Sequence, residues 1–395
     1  MWLNTIIFDM RFQEHILNKS QFIHQLGPKD DVLSPFLVKY INAAEGKDGK
    51  SYLNIILADR SGEVEARKWH GAEHIIGQIR SGDVVIVQGK MNQFQGRMQL
   101  IVQELSKLNE DQFNREDYIQ KAGTAPEKMF QELLSIVETL EEVYIKELLQ
   151  MILHDPEIAR RLKIWQAGKS IHHAYQSGLL EHILSCTKLA VTLSPHYKVN
   201  RSYVIAGCIL HDLCKIYELT EGPVVDYTEE GKLVGHLVKG VEIVDHFSHK
   251  IRNFPYNVKL HLKHILLSHH GEYEYGSPKI PNTSEAYLVH LIDLMDSKMS
   301  SFEQVKKNDS SSSHWSGFVK HMDRIVYKSE LPTFTEFIDS NDGGQFGGAT
   351  SGVVSAPLAS APSVPSAMKS APAKSNPKEL KSTLGNLLKD FKVEE

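Results

Sequence analysis

An apolar run that ends in His211-Asp212 constrains the fold of this chain more than any other feature. The run, residues 204–210, carries no charge, which is typical of a segment inside a domain. It therefore delivers two adjacent side chains of the metal-binding type into an interior pocket. Further side chains of this type lie on both sides of the pair, each within or beside an apolar pattern of helical spacing: His182, His236, His269, His270 and Asp293.

The adjacency of His211 and Asp212 restricts how both can serve one site, because neighbouring residues of a helix point in different directions. They can share a pocket where a helix ends, or where the pair spans two ions and the carboxylate bridges them. Most of the 20 histidines must be surface or packing residues, so the hypothesis depends on a set that converges. The predicted ligands are His182, His211, Asp212 and Asp293 for one ion, and His236 with one or both of His269 and His270 for a second.

Imidazole and carboxylate ligands together suit divalent first-row metals such as Mn, Fe, Co, Ni or Zn. The three cysteines, Cys186, Cys208 and Cys214, lack the spacing of a thiolate zinc site. They also lack the pattern of a disulfide framework, so we expect buried thiols in a reducing compartment.

Chain length, net charge and apolar stretches limit the possible architecture and cellular compartment. A chain of 395 residues is long enough for two folded units. A formal net charge of −5 argues against a wholly basic nucleic-acid-binding surface, so any such contact requires a local patch. The first residues carry no basic leader, and no apolar stretch has the length to span a bilayer. We expect a soluble cytoplasmic protein that does not bind membranes.

Residues 15–108 have the pattern of a small β-barrel. Alternation places Leu53, Ile55 and Leu57 on one face of a strand. Strands separated by a helix between the third and the fourth are typical of an OB-fold barrel. The segments that carry this pattern are 52–58, 63–69, 83–89 and 97–102, with a helix-like piece at 72–79.

Four side chains of this barrel are candidates for nucleic-acid binding. Tyr52, Arg67, Trp69 and Arg97 fall on the outward parity, where OB-folds stack the bases of a single strand beside cationic groups. The alternative is that they are ordinary exposed residues of a barrel that only holds the next domain. The balance of charges over 15–108 is too even to decide between the two.

The remaining segments complete a multidomain fold. Residues 109–126 have the polar composition of a linker, and helical periodicity over 127–335 predicts an all-α domain that contains every candidate ligand. Residues 1–14 form an extension without an assigned role. Residues 340–395, rich in Ala, Ser and Pro, predict a disordered tail. Its end fits either a helix that docks on a protein partner or a helix that frays, with Asn376 as cap, Pro377 at the first position and an apolar face of Leu380, Leu384, Leu387 and Phe391.

The order of His182, His211-Asp212 and Asp293 resembles the HD-domain superfamily of helical, metal-dependent phosphohydrolases. More narrowly, the chain resembles the YhaM-type 3′-to-5′ exoribonucleases, which also carry an N-terminal OB-fold. Cys214 and Ile292 depart from the family's usual Gly and Ala, and both changes keep the ligands. The motifs that carry the resemblance are His-His-Ala-Tyr at 172–175, Gly-Leu-Leu-Glu-His at 178–182, His-Asp-Leu-Cys-Lys at 211–215, Gly-His at 235–236, Ser-His-His-Gly at 268–271, Glu-Tyr-Gly-Ser-Pro at 274–278 and Asp-Leu-Met-Asp-Ser-Lys at 293–298.

The resemblance implies a 3′-to-5′ exonuclease that uses two Mn²⁺ ions and a metal-activated hydroxide to release nucleoside 5′-monophosphates from single-stranded RNA. Asp212 would be catalytic, and Lys215 and Lys298 would contact a phosphate, with a salt bridge or a solvated lysine as the alternative. His173 and Tyr275 would touch the terminal nucleotide, and the barrel would hold the strand upstream. The sequence leaves open Co, Fe, Ni or Zn as the metal, DNA as a substrate, and a homo-oligomer.

Three other functions compete with this one. A phosphohydrolase of small nucleotides or cyclic dinucleotides would need no module that holds a strand. A nucleic-acid-binding regulator without activity would have no reason to keep a complete ligand set. A di-iron oxygenase would leave residues 15–108 without a role.

Overall fold

The computed structural model describes residues 19–46, 49–94, 97–169, 173–222, 224–309 and 313–331, without the side chains of Arg97 and Asn308. The predicted N-terminal extension (1–14) and the predicted tail with its terminal helix (340–395) lie outside the described residues.

The strands of the N-terminal part close into a barrel in the order β1-β2-β3-β5-β4. Strand β1 is long enough to pair antiparallel with both β2 and β4, and β3 pairs parallel with β5. The inward residues of β2 include Leu53, Ile55 and Leu57, which are 2% exposed or less. This arrangement confirms the predicted OB-fold. The strands are β1 (Asp31–Glu45), β2 (Ser51–Asp59), β3 (Gly62–Lys68), β4 (Val84–Phe94) and β5 (Arg97–Lys107).

The helix expected at residues 72–79 is wrong, because the segment forms turns. Gly71 precedes it and Gly77 lies within it, with φ angles of 68° and 84°, a left-handed conformation that a helix cannot continue through. Ala72 and Ile79 still pack into the barrel. The apolar residues of the segment therefore close the barrel end without regular helical structure.

The predicted linker, 109–126, is a packed segment. It contains two short 3₁₀ helices, Glu110–Gln112 and Arg115–Tyr118. Tyr118 is 5% exposed and packs with residues of the barrel. Further along, Lys121 bridges to Gln176, just before the first ligand-bearing helix. The segment is therefore bonded to both folded parts.

The rest of the described chain is helical up to residue 308. A single apolar core joins all of these helices except α7. Residues 313–331 follow with two isolated bridges, Trp315 to Tyr327 and Val319 to Arg324. The architecture confirms an all-α domain after the barrel. The helices are α1 (Pro126–Glu138), α2 (Val143–Leu153), α3 (Pro156–Leu162), α4 (Gly178–Tyr197), α5 (Arg201–Leu210), α6 (Lys215–Glu218), α7 (Glu229–Leu233), α8 (His236–Ser248), α9 (Tyr256–Ser268) and α10 (Ser284–Asn308). Within the described ranges, no helix has the length and apolar character needed to cross a bilayer.

Three helices meet closely at Gly207 of α5. A Cβ atom at this position would lie 2.6 Å from Cγ2 of Val289 on α10 and 2.8 Å from Cγ2 of Ile265 on α9. Both neighbours are fully buried and β-branched, so neither can move aside cheaply. The absence of a side chain at Gly207 is therefore what lets α9 and α10 approach α5 here.

We predict that Gly207→Ala destabilises the protein, whereas Gly240→Ala on α8 does not. Overpacking costs about 1–3 kcal/mol, offset in part by the roughly 1 kcal/mol that alanine gains over glycine in a helix. At Gly240 the new Cβ would meet only Cδ1 of Leu266 at 3.4 Å, an ordinary contact. Urea unfolding of both variants measures the difference. Equal stability of the two would contradict the tight packing at Gly207.

Candidate metal centre

The first donor set comes from three helices. His182 lies on α4, His211 caps the C-terminus of α5, and Asp293 lies on α10. Nε2 of His182 is 3.1 Å from Nε2 of His211, 3.5 Å from Oδ2 of Asp212 and 3.3 Å from Oδ1 of Asp293. Ligand atoms of the four residues all lie within 4.8 Å of one another. The structure therefore brings together the residues predicted for one ion.

The second donor set lies on the other side of Asp212. It consists of His236, the first residue of α8, with His269 and His270, which follow α9. Oδ1 of Asp212 is 3.5 Å from Nε2 of His236 and 3.8 Å from Nε2 of His269. Asp212 thus turns Oδ2 to the first set and Oδ1 to the second. Because α5 has ended at Leu210, His211 and Asp212 can face the same pocket.

Two buried nitrogen atoms of the second set fit a metal ion. Among the described residues, no hydrogen-bond partner is found for Nε2 of His236 or of His269. Buried polar atoms normally have a partner, and a divalent cation would provide one for both. The opposite nitrogen of each ring is held, since Nδ1 of His236 lies 2.8 Å from Glu218 and Nδ1 of His269 lies 2.9 Å from the Leu266 carbonyl. Because Nδ1 of each ring is held, the lone pair of each Nε2 atom points toward the candidate metal site.

The protonation states of the histidines in the second set also suit metal binding. Burial lowers the pKa of His269 well below its usual value, and burial together with His236 lowers the pKa of His270. Both rings are therefore neutral near pH 7, which is the form that binds a metal. With the carboxylates of the first set, these donors suit a divalent cation.

Asp296 supports the first set and was missed from the sequence. Its Oδ2 lies 2.7 Å from Nδ1 of His182 and 3.2 Å from Nε2 of His173, and its Oδ1 accepts from the Ser185 hydroxyl. Burial raises the pKa of Asp296, but the hydrogen bonds from His173 and His182 outweigh it and hold the pKa below its usual value. The signal was its spacing, because a residue three positions after Asp293 shares its helix face.

The two lysines predicted to contact phosphate differ in position. Nζ of Lys215 lies 2.6 Å from Oδ2 of Asp212. Burial lowers the pKa of Lys215, but the neighbouring Asp212 outweighs it and raises the pKa, so the ammonium is charged beside the shared carboxylate. Lys298 is exposed and lies about 140° around α10 from Asp293. The structure does not bring it into the cluster, and its role stays a prediction.

His173 and Tyr275 lie on different sides of the centre. His173 is 8% exposed, its ring lies 5.5 Å from that of His182, and its Nδ1 lies 2.9 Å from the Tyr175 hydroxyl. Tyr275 is 64% exposed, and its carbonyl oxygen lies 3.1 Å from Nδ1 of His270. Tyr275 is accessible and its backbone lies next to the second set, whereas His173 is engaged by the residues that support the first.

The predicted aromatic residues of the barrel form one platform. Tyr52 and Trp69 stack with ring centroids 4.7 Å apart and planes at 28°. The Arg67 guanidinium lies 5.9 Å and 5.6 Å from the two rings, and Trp69 is 41% exposed. The side chain of Arg97 lies outside the described part of the chain. Because Gln99 pairs with Glu65, the backbone of Arg97 lies toward the opposite end of β3 from Trp69.

Both folded parts match known protein families. Residues 179–298 match the HD domain family, and residues 37–108 match the family described as OB-fold nucleic acid binding domain. Over 266 residues the chain is 34% identical to the 3′-5′ exoribonuclease YhaM of Oceanobacillus iheyensis, covering 67% of this chain and 83% of that protein. The chain belongs to the YhaM family of 3′-5′ exoribonucleases. The resemblance seen in the sequence motifs is confirmed.

Solved structures share only a limited likeness with the chain. The second OB-fold domain of replication protein A from Methanococcus maripaludis has 18% identity and a TM-score of 0.20, covering 23% of this chain and 95% of that one. The mitochondrial single-stranded DNA binding protein Rim1 of S. cerevisiae has 12% identity and a TM-score of 0.19, covering 20% and 97%.

We predict that Asp296→Asn weakens the binding of a divalent metal ion, with Mn²⁺ as the probe, roughly 10- to 100-fold, the usual effect of losing a carboxylate that orients a ligating histidine. Isothermal titration of the metal-free protein measures this directly. Glu303→Gln is the control, because it removes one exposed carboxylate from the same helix. If both variants bind Mn²⁺ equally well, Asp296 does not orient His182.

Proposed function

We propose that this protein is a metal-dependent 3′-to-5′ exonuclease that hydrolyses single-stranded RNA to nucleoside 5′-monophosphates. The carboxylate of Asp212, shared between two donor sets, is the observation that carries the proposal. The exoribonuclease name of the relative from Oceanobacillus iheyensis and the aromatic platform on the barrel support it.

The candidate ligands divide between two ions in the proposed mechanism. His182, His211 and Asp293 would hold one ion, and the histidines of the second set would hold the other, with Asp212 common to both. The two ions, which we propose to be Mn²⁺, would activate a water molecule and neutralise charge on the phosphoryl oxygens. Lys215 keeps a positive charge next to Asp212, where it stabilises negative charge that develops on the phosphoryl group.

The barrel and the surface near the second set divide the substrate between them. The Tyr52–Trp69 pair stacks bases without regard to sequence, as aromatic residues of OB-folds do. Tyr275 contacts the terminal nucleotide, and His173 contributes from the opposite side. We also propose a cytoplasmic location, since the three cysteines are free and buried, as in proteins of a reducing compartment.

We expect Asp212→Asn to lower hydrolysis about a thousandfold or more, because it removes several kcal/mol of metal-derived stabilisation. The assay is digestion of RNA labelled at its 5′ end in the presence of Mn²⁺, beside the equivalent DNA. Wild-type protein should shorten the RNA from its 3′ end and release mononucleotides. Cleavage of neither strand by a metal-loaded protein would redirect the search to small nucleotides.

We expect Trp69→Ala to weaken RNA binding roughly 5- to 150-fold, the range that corresponds to the loss of one base-stacking contact. Fluorescence anisotropy with labelled RNA provides the measurement. Tyr256→Ala is the control, because Tyr256 is 70% exposed at the start of α9, one helix length away from His269. A loss of hydrolysis of very short RNAs by Trp69→Ala would contradict the proposed division of tasks.

A further inference from the structure

A cleft of about 670 Å³ lies between the barrel and helix α10 and is not used by the metal ligands. Lys39, Arg60 and Glu63 line it on the barrel side. At its inner end lie His173 and Asp296, which contact the first donor set. The cleft therefore leads from the barrel to the edge of the metal centre.

Helix α10 forms the long wall of the cleft and also supplies Asp293 to the centre. From Asp293 to Lys307, at the far end of the wall, the helix rises about 21 Å. Met295 and Met299, between them, are 41% and 58% exposed. Their flexible apolar side chains are surfaces against which bases can lie.

The barrel continues this surface beyond Lys39. The register of β1 shifts between Val38 and Tyr40, so Lys39 occupies a bulge and its Nζ reaches Oε1 of Glu63 at 2.5 Å. The bulge turns Tyr40 outward, where it is 49% exposed and pairs with Ile56 of β2. Bulges of this kind change the face on which the following side chains lie.

Tyr40 lies between the cleft and the Tyr52–Trp69 pair. Alternate residues of β2 share one face, so Ile56 and Tyr52 both point away from the barrel core. Tyr52 is four residues from Ile56, about 13 Å along the strand. The exposed aromatic residues thus continue the line of the cleft across the barrel.

We propose that a single strand of RNA follows this route from the metal centre. Its 3′ end lies at the metals, the next nucleotides lie in the cleft along α10, one base stacks on Tyr40, and bases further upstream reach the Tyr52–Trp69 pair. This rests on the proposed function, and it adds Tyr40 and the cleft to the substrate-binding surface.

The charges of the cleft favour base contacts over phosphate contacts. Lys39 pairs with Glu63, Arg60 pairs with Asp117 and Lys121 pairs with Glu116. Paired cations neutralise fewer phosphates than free ones. Stacking on Tyr40 and contact with Met295 and Met299 therefore contribute most of the RNA-binding energy in this part of the route.

The route predicts an order in which aromatic residues act as RNA becomes longer. Single-turnover hydrolysis of RNAs of about two to twelve nucleotides, a range that spans one OB-fold site, is compared for wild type, Tyr40→Ala and Trp69→Ala. Each substitution should raise the protein concentration needed for the half-maximal single-turnover rate by roughly 5- to 150-fold, once the RNA is long enough to reach the residue. The Tyr40→Ala defect should begin at a shorter length than the Trp69→Ala defect. A shared or reversed threshold overturns the route.

Two controls keep the test specific. Tyr40→Phe retains the ring and should match wild type at every length, which separates stacking from damage to the fold. Equilibrium binding of the same RNAs to Asp212→Asn protein separates the route from the chemistry. Absence of hydrolysis by wild type contradicts the proposed function alone, whereas unchanged binding of all lengths by Asp212→Asn protein that also carries Tyr40→Ala contradicts the route.

Discussion

The contact of Gly207 with Val289 and Ile265 is the constraint on which the metal centre depends. Each of these residues lies one helical turn before a candidate ligand: His211 after Gly207, Asp293 after Val289 and His269 after Ile265. The next turns of the three helices also meet, since the rings of His211 and His269 lie 5.1 Å apart and Nε2 of His211 lies 3.7 Å from Oδ1 of Asp293. The convergence of distant ligands is therefore a consequence of apolar packing, and the core that holds the helices together also sets the distances between donors.

The centre is organised by contacts that lie behind the ligands. His182 and His236 each present Nε2 to the cluster while a carboxylate, Asp296 or Glu218, holds Nδ1. The buried Nε2 atom of His236 has no hydrogen-bond partner among the described residues, and such an atom costs about 1–3 kcal/mol when it is left unpaired. The ring cannot turn to find another partner for Nε2, because the supporting carboxylate holds it at Nδ1. A cation bound there would return the energy, so metal binding and stability are linked.

The sequence predicted the fold, and it predicted which candidate ligands lie together, where the information was local. The order of motifs located candidate ligands that the structure brings together, and the divergence of neighbouring helical side chains left two alternatives for His211 and Asp212, a helix end or a pair that spans two ions. The supporting role of Asp296 was not predicted, because its partner, His182, is distant in sequence. Tyr40 escaped because the bulge at Lys39 changes the parity of β1, which no alternation of residue types reveals. The expected helix at 72–79 does not form, because Gly71 before the segment and Gly77 within it adopt left-handed conformations that apolar spacing alone does not reveal.

The segment that joins the barrel to the helices acts as a spacer of set length. Tyr118 is embedded at the barrel, and three residues later Lys121 bridges to Gln176, next to the start of α4. A barrel attached so closely cannot follow a substrate as it shortens. Under the proposed function, each nucleotide removed draws the 5′ end nearer to the centre until it leaves the barrel altogether. The length of the RNA fragment that the protein finally releases would then be set by the distance between its two folded parts.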